Sequence, residues 1–100
     1  MIRGTTPTHT FTLPIDTKLL TSIKITYAQD DRVIFSKNTE DCRLEGNTVK
    51  VTLTQEETFK FEADKHVQIQ VRVLTNTGDL VSSSVMCVTV GKCLDGEVIA

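Results

Sequence analysis

The chain has 100 residues, of which 39% are hydrophobic and 24% charged, and its formal net charge is -2. This composition excludes a disordered chain and fits one domain that buries its own core. Lys and Arg are scattered without a basic stripe, which argues against nucleic-acid binding. No apolar run approaches the roughly 20 residues of a membrane-spanning helix.

The first ten residues and the cysteine count bear on location. A basic segment followed by an apolar one is missing at the N-terminus, so we expect no signal peptide. The three cysteines, Cys42, Cys87 and Cys93, cannot all pair within one chain. Without secretion a disulfide framework is not expected, and these features predict assembly in the cytoplasm.

Alternation of apolar and polar residues predicts β-strands along the whole chain. In the clearest segment, from Val67 to Val73, every second residue is Val or Ile and the residues between are polar. Tyr27 falls on the inward face of its segment, and Phe11 and Leu13 share one face of the first. The predicted strands span residues 8–13, 22–29, 32–37, 41–44, 48–54, 66–75 and 80–90.

Turn residues separate these segments. Gln29 to Arg32 predicts a tight hairpin, and Gly46-Asn47 and Gly78 stand where a turn needs positive φ. In the last segment the run Ser82–Ser84 obscures which residues face inward, which predicts a β-bulge or an edge. Short antiparallel strands at this spacing predict one all-β domain over residues 1–100, a two-sheet sandwich of about seven strands in which residues 91–100 are a tail.

One stretch, Val51 to Phe61, breaks the strand pattern. Thr54 and Glu57 match the capping box T-x-x-E, in which the threonine accepts from an early helical N–H and the glutamate reaches back. A single helical turn there would carry the chain from one sheet to the other, and Phe59 and Phe61 would follow at strand spacing. This is the crossover between the last-but-two and last-but-one strands of an immunoglobulin-like sandwich. The alternative is a surface loop with an accidental match.

No pattern in the chain predicts a catalytic, cofactor or metal site. The acidic pairs Asp30-Asp31, Glu40-Asp41 and Glu56-Glu57 fall at turns or in the capping turn, where solvated side chains are expected. A Gly-rich phosphate loop is absent from the sequence. A sugar platform would need exposed aromatic rings, and the chain has no Trp and one Tyr, which is expected to point inward.

The histidines and cysteines also give no sign of a catalytic or metal site. His9 and His66 lie far apart in sequence and outside any nucleophile motif, and His66 belongs to an outward face. The cysteine spacing suits no zinc site. We expect Cys87 to be a small core or edge hydrophobe, and Cys42 and Cys93 to be exposed thiols.

Four segments carry a resemblance to a known family. They are the opening Arg-Gly-polar-Thr, the Thr- and Phe-rich first strand, the L-T-x-E-x-T turn from Leu53 to Thr58, and a hairpin with Asp or Asn next to Gly. From Arg3 to Lys92 the chain resembles small immunoglobulin-like proteins encoded in prophages, and the N-terminal immunoglobulin-like domain of phage baseplate upper proteins. The resemblance implies an immunoglobulin-like, fibronectin III-like sandwich and a phage context, with no catalytic residues to transfer.

The expected function follows from a sandwich without a site and from this resemblance. We expect a non-enzymatic structural or accessory protein of a phage, tail- or baseplate-associated, with other phage proteins as partners and a homo-oligomer left open. Its location would be the host cytoplasm during assembly, with the virion as a further destination. The alternative is a host-surface or glycan-binding module. Val98 and Ile99 predict an apolar tail that docks on its own domain, on a second copy or on another virion protein, or else has no role.

Overall fold

Two antiparallel sheets contain the strands of this protein. The computed structural model describes residues 1–99. A short helix, α1 (Gln55–Phe59), lies between the strands Thr48–Thr52 and His66–Thr75, and 3-10 helices cover Thr17–Leu19 and Thr39–Asp41. In chain order the strands are β1 (Thr8–Thr12), β2 (Leu20–Gln29), β3 (Arg32–Asn38), β4 (Cys42–Glu45), β5 (Thr48–Thr52), β6 (His66–Thr75), β7 (Leu80–Ser82) and β8 (Met86–Thr89).

The chain crosses between the two sheets three times. The smaller sheet has the order β1-β5-β4, and the larger has the order β3-β2-β6-β7, with β8 also pairing with β6. All these strand pairs are antiparallel. The chain therefore changes sheet after β1, after β3 and after β5, and the predicted all-β class is confirmed.

The inner faces of both sheets form one core. Alternate residues of β2, β5 and β6 are buried, as the period-two pattern predicts, and Tyr27 is fully buried among them. Burying one such side chain is worth about 1.5–3 kcal/mol, so this shared core holds the sheets face to face. The buried hydrophobic residues are Ile23, Ile25, Tyr27, Val49, Val51, Leu53, Phe61, Val67, Ile69, Val71, Val73 and Val90.

The last predicted strand, 80–90, is two strands with a bulge between them. Ser82 pairs with Arg72 and Met86 pairs with Ile69, so residues 83–85 stand opposite residues 70–71, three against two. The Ser83 hydroxyl replaces a strand carbonyl by accepting the Val71 N–H at 3.0 Å. Because of the extra residue, odd-numbered residues face the core before the bulge and even-numbered residues face it afterwards. A single alternating pattern therefore cannot describe the whole segment.

The crossover turn forms as the capping box predicts. Glu57 N–H donates to Thr54 Oγ1 at 3.1 Å, and Thr54 N–H donates to Glu57 Oε1 at 2.9 Å. The flanking strands β5 and β6 lie in different sheets, which confirms the crossover. Phe61 is buried, but Phe59 is the last residue of α1 and only half-buried, so the expected strand spacing of these two rings is wrong.

The start of the chain packs on this turn. Gly4 N–H donates to Thr58 Oγ1 and the Thr58 hydroxyl donates to Thr5 O, both at 2.9 Å. Arg3 donates to Phe59 O at 2.9 Å, and its guanidinium carbon lies 5.5 Å from the centroid of the Phe59 ring. Gly4 has a φ of +77°, and a Cβ there would lie 2.5 Å from Phe59 Cζ. The opening Arg-Gly motif thus serves to dock the N-terminal segment against α1.

An ion pair holds α1 to β3, in the larger sheet. Lys37 on β3 approaches Glu57 Oε2 to 2.6 Å, and both side chains are largely shielded from water. Burial by itself would raise the pKa of Glu57, but hydrogen bonds from Lys37 and Thr54 outweigh it and lower the pKa. One carboxylate therefore both closes the capping box and anchors the turn to β3.

Two substitutions compare the cap with the core. Thr54→Ala removes the cap acceptor and is expected to cost about 1 kcal/mol, whereas Phe61→Ala empties a buried site and is expected to cost roughly 3 kcal/mol or more. Urea unfolding of both variants measures the two free energies. A Phe61→Ala loss no larger than the Thr54→Ala loss would contradict the placement of Phe61 in the core.

Candidate functional site

The β7–β8 edge of the larger sheet, which we define as residues Leu80–Thr89, is the candidate site. From Leu80 to Gly91 the chain contains no Asp, Glu, Lys, Arg or His. Leu80 is 70% exposed and Val85 is 52% exposed. Natural sheet edges are commonly protected from pairing by charged residues or proline. This edge has neither, and it is open to an added strand.

Backbone groups along this edge point away from the sheet. Ser83 N–H donates to Val71 O, so by the alternation of an antiparallel ladder Leu80 and Ser82 direct their N–H and C=O groups outward. Val90 N–H donates to Lys65 O, so Cys87 and Thr89 face outward by the same rule. Thr89 O already accepts from the Met1 amino group at 3.0 Å. Leu80, Ser82 and Cys87 are the positions at which a partner strand could bond.

The N-terminal segment limits the length of the open edge. Ile2 forms a parallel bridge with Gly91, in which Gly91 N–H donates to Met1 O at 2.7 Å and Arg3 N–H donates to Gly91 O at 3.0 Å. Gly91 therefore belongs to the sandwich and not to a tail. The edge is covered from Thr89 onward and open before it.

The other sheet edges are less suited to pairing. β3 carries Arg32 and Lys37, and β4 is four residues long with two of them charged. β1 is uncharged, but it lies between Pro7 and Pro14, which lack an N–H donor, and its outward side chains are threonines. The β7–β8 edge combines open backbone groups with exposed apolar side chains.

An apolar groove runs beside this edge, between the two sheets. Its volume is about 280 Å³. It lies where β1 and β7 leave the sandwich unclosed, and Leu13, expected at the end of the first strand, forms one wall together with Pro14 and Ile15. The apolar residues that line it are Leu13, Pro14, Ile15, Val71, Val73 and Val81.

The structure separates the three cysteines, and all are free thiols. Cys87 is exposed on β8, so the expectation of a core position is wrong and that of an edge position is right. Cys42 and Cys93 are half-buried, contrary to the expectation of exposed thiols. Burial, with the neighbouring Asp41 charge, raises the pKa of the Cys42 thiol, which disfavours the reactive thiolate.

The two histidines lie on different sheets. His66 is exposed on β6, as predicted. His9 Nδ1 lies 2.8 Å from the Tyr27 hydroxyl, and the two rings stack with centroids 5.7 Å apart. Burial, with the Met1 amino group, lowers the pKa of His9. Burial also raises the pKa of Tyr27, so the pair is a neutral contact between the sheets. Sequence reasoning missed it, although His9 alternates with Phe11.

The acidic pairs lie at turns and in short helices, as predicted, but the expectation of a solvated side chain is wrong for Glu57, which is shielded by its ion pair with Lys37. Asp30 and Asp31 have positive φ values of 51° and 61° and form the β2–β3 turn. Glu40-Asp41 lies in a 3-10 helix and Glu56-Glu57 in α1. Of the positive φ values expected at Gly46-Asn47, only that of Gly46 is found. Within residues 1–99, no group of three His, Cys, Asp or Glu side chains could hold a metal ion.

The chain after Gly91 docks on its own domain. Ile99 N–H donates to Gln55 Oε1 at 2.9 Å, and Gln55 Nε2 donates to Ile99 O at 2.8 Å. Leu94 and Ile99 remain largely exposed. Of the three docking modes expected for the tail, the described residues show the intramolecular one, and Ala100 lies outside them.

Comparison of the chain with protein-family models, curated proteins and solved structures found no match. No helix in the described part of the chain has the length and apolar character needed to cross a membrane.

The His9–Tyr27 contact predicts a pH-dependent stability. Because the folded state lowers the pKa of His9, the unfolded chain binds the proton more readily, and stability falls as the pH drops through about 6.5. Thermal melts between about pH 7.5 and 5.5 measure this effect, because that pH range lies above the usual pKa values of Asp and Glu. His9→Asn should flatten the dependence, while His66→Asn, on an exposed site, should keep it. A dependence unchanged in His9→Asn would contradict the assignment.

Proposed function

We propose that the protein is a non-enzymatic protein–protein interaction module of a phage or prophage, a structural or accessory component associated with the tail or baseplate. Its β7–β8 edge accepts an extended strand of another protein of the particle. The observation that carries this proposal is the uncharged edge with outward backbone groups at Leu80, Ser82 and Cys87.

Strand addition fits the chemistry of this edge. Main-chain hydrogen bonds supply affinity in such complexes, and pockets for alternate side chains supply specificity. Leu80 and Ser82 present the backbone groups, and Val81 points toward the apolar groove of about 280 Å³ beside them. An added strand could place an apolar side chain over that groove, which makes the edge and the groove one binding surface.

The strand order supports an immunoglobulin-like topology for the sandwich. The orders β1-β5-β4 and β3-β2-β6-β7 correspond to B-E-D and C′-C-F-G of a variable-type immunoglobulin sandwich. The helix α1 then stands at the E–F crossover, where the capping box predicts it. The bridge between Ile2 and Gly91 stands where a full first strand would run beside strand G. On this assignment, the β7–β8 edge is the edge of strand G, next to a shortened strand A.

Side-chain chemistry favours a binding role over catalysis. Glu57 and Tyr27, whose pKa values are shifted, both make structural contacts. Glu57 anchors α1, and Tyr27 links the two sheets through its hydrogen bond with His9. The groove is lined mostly by apolar side chains, with Thr12, Ser82 and Ser83 as its polar residues, and lacks titratable groups among the described residues. The alternative of a glycan-binding module calls for an exposed aromatic platform, and Tyr27 is fully buried.

Charge added at the edge tests the proposal. Ser82→Glu places a carboxylate on the outer face opposite Arg72, where a cross-strand ion pair preserves the fold, and a charged side chain on an edge strand disfavours the addition of another strand. Ser22→Glu makes the same change on the outer face of β2, an interior strand, and is the matched control. Particles of the encoding phage, made with each variant, are purified and analysed by mass spectrometry.

The expected result is that wild-type protein and Ser22→Glu appear in the particles while Ser82→Glu is depleted. Thermal melts of the purified variants show whether each is folded. Absence of the wild-type protein from all assembled particles would overturn the structural role. Incorporation of folded Ser82→Glu at the wild-type level would overturn the assignment of the edge.

A further inference from the structure

We propose that the β7–β8 edge also pairs with the same edge of a second copy of this chain. In that dimer β8 lies antiparallel to β8 of the other copy across a two-fold axis, and the two larger sheets become one continuous sheet. This inference rests on the proposed function, because it assumes the same edge, but it names a different partner.

The absence of charge is what favours self-pairing. In a two-fold interface each surface meets itself, so a run of one charge would place like charges together. From Leu80 to Gly91 there is no ionisable side chain other than the Cys87 thiol. β3, the opposite edge of the same sheet, carries two cations, the exposed Arg32 and also Lys37, which is paired with Glu57.

The backbone geometry favours β8 as the contact. Cys87 directs its N–H and C=O outward, so Cys87 can form a hydrogen-bonded pair with Cys87 of the second copy. The residues on either side, Met86 and Val88, bond to β6 instead, and their side chains lie on the core side. Residues opposite each other in such a pair have Cα atoms about 5.5 Å apart. An exposed thiol at that position reports directly on the pairing.

The bulge and the N-terminal segment bound this contact. Residues 83–85 bulge at one end of β8, and the Met1 amino group occupies Thr89 O at the other. The free pairing stretch is therefore short and centred near Cys87. We expect a weak, concentration-dependent dimer with few main-chain hydrogen bonds.

Crosslinking tests the proposal on the intact chain. A short bis-maleimide, added in reducing-agent-free buffer over a concentration series, should give a covalent dimer of the wild-type protein. Cys93→Ser should give the same dimer, and Cys87→Ser, which keeps Cys42 and Cys93, should give none. Equal crosslinking of Cys87→Ser would overturn the proposal.

Sedimentation equilibrium provides the independent measurement. Cys87→Glu would set two carboxylates against each other, so the dimer dissociation constant should rise by roughly tenfold or more, while Ser22→Glu should leave it unchanged. A wild-type monomer at every concentration, or a dimer insensitive to Cys87→Glu, would overturn self-pairing. If the wild type is monomeric, enters particles and is depleted from them by Ser82→Glu, the proposed function stands and self-pairing is wrong. If the protein dimerises but is absent from particles, self-pairing stands and the proposed function is wrong.

Discussion

The hydroxyl of Thr58 joins the start of the chain to the turn that carries the backbone between the sheets. It accepts the Gly4 N–H and donates to Thr5 O, and Thr58 itself is fully buried. A buried hydroxyl without partners would be costly, so this junction is strongly specified. It holds α1 in place from one side, while the Lys37–Glu57 ion pair holds it from the other. The same junction directs the N-terminal segment toward Gly91, and so decides where the open edge ends.

Alternation predicts the sheets and the core well because burial on one face imposes a period of two. It fails where tertiary structure breaks that period. The bulge at residues 83–85 reverses parity, so no single alternating pattern describes the segment from Leu80 to Val90. Phe59 was expected in a strand because its spacing to Phe61 is two, but the capped turn extends through it. His9 shares the inward face of β1, and its partner Tyr27 comes from the other sheet, which no local pattern reveals.

The candidate site was only partly visible in the sequence. The run without charge from Leu80 to Gly91 can be found by inspection. That this run forms an edge, and that Leu80, Ser82 and Cys87 direct backbone groups outward, depends on pairing with β6 and on the bulge. Pairing between residues distant in sequence sets these features.

Hydrogen exchange of individual backbone amides tests the central claim, that the β7–β8 edge is open and accepts a strand. In dilute protein we expect fast exchange at Leu80, Ser82 and Cys87, and slower exchange at Ser83 and Val88, whose N–H groups face β6. In the assembled state, whether dimer or particle, the three fast amides should become protected. Protection of these amides already in dilute protein, or fast exchange that persists after assembly, would contradict the account.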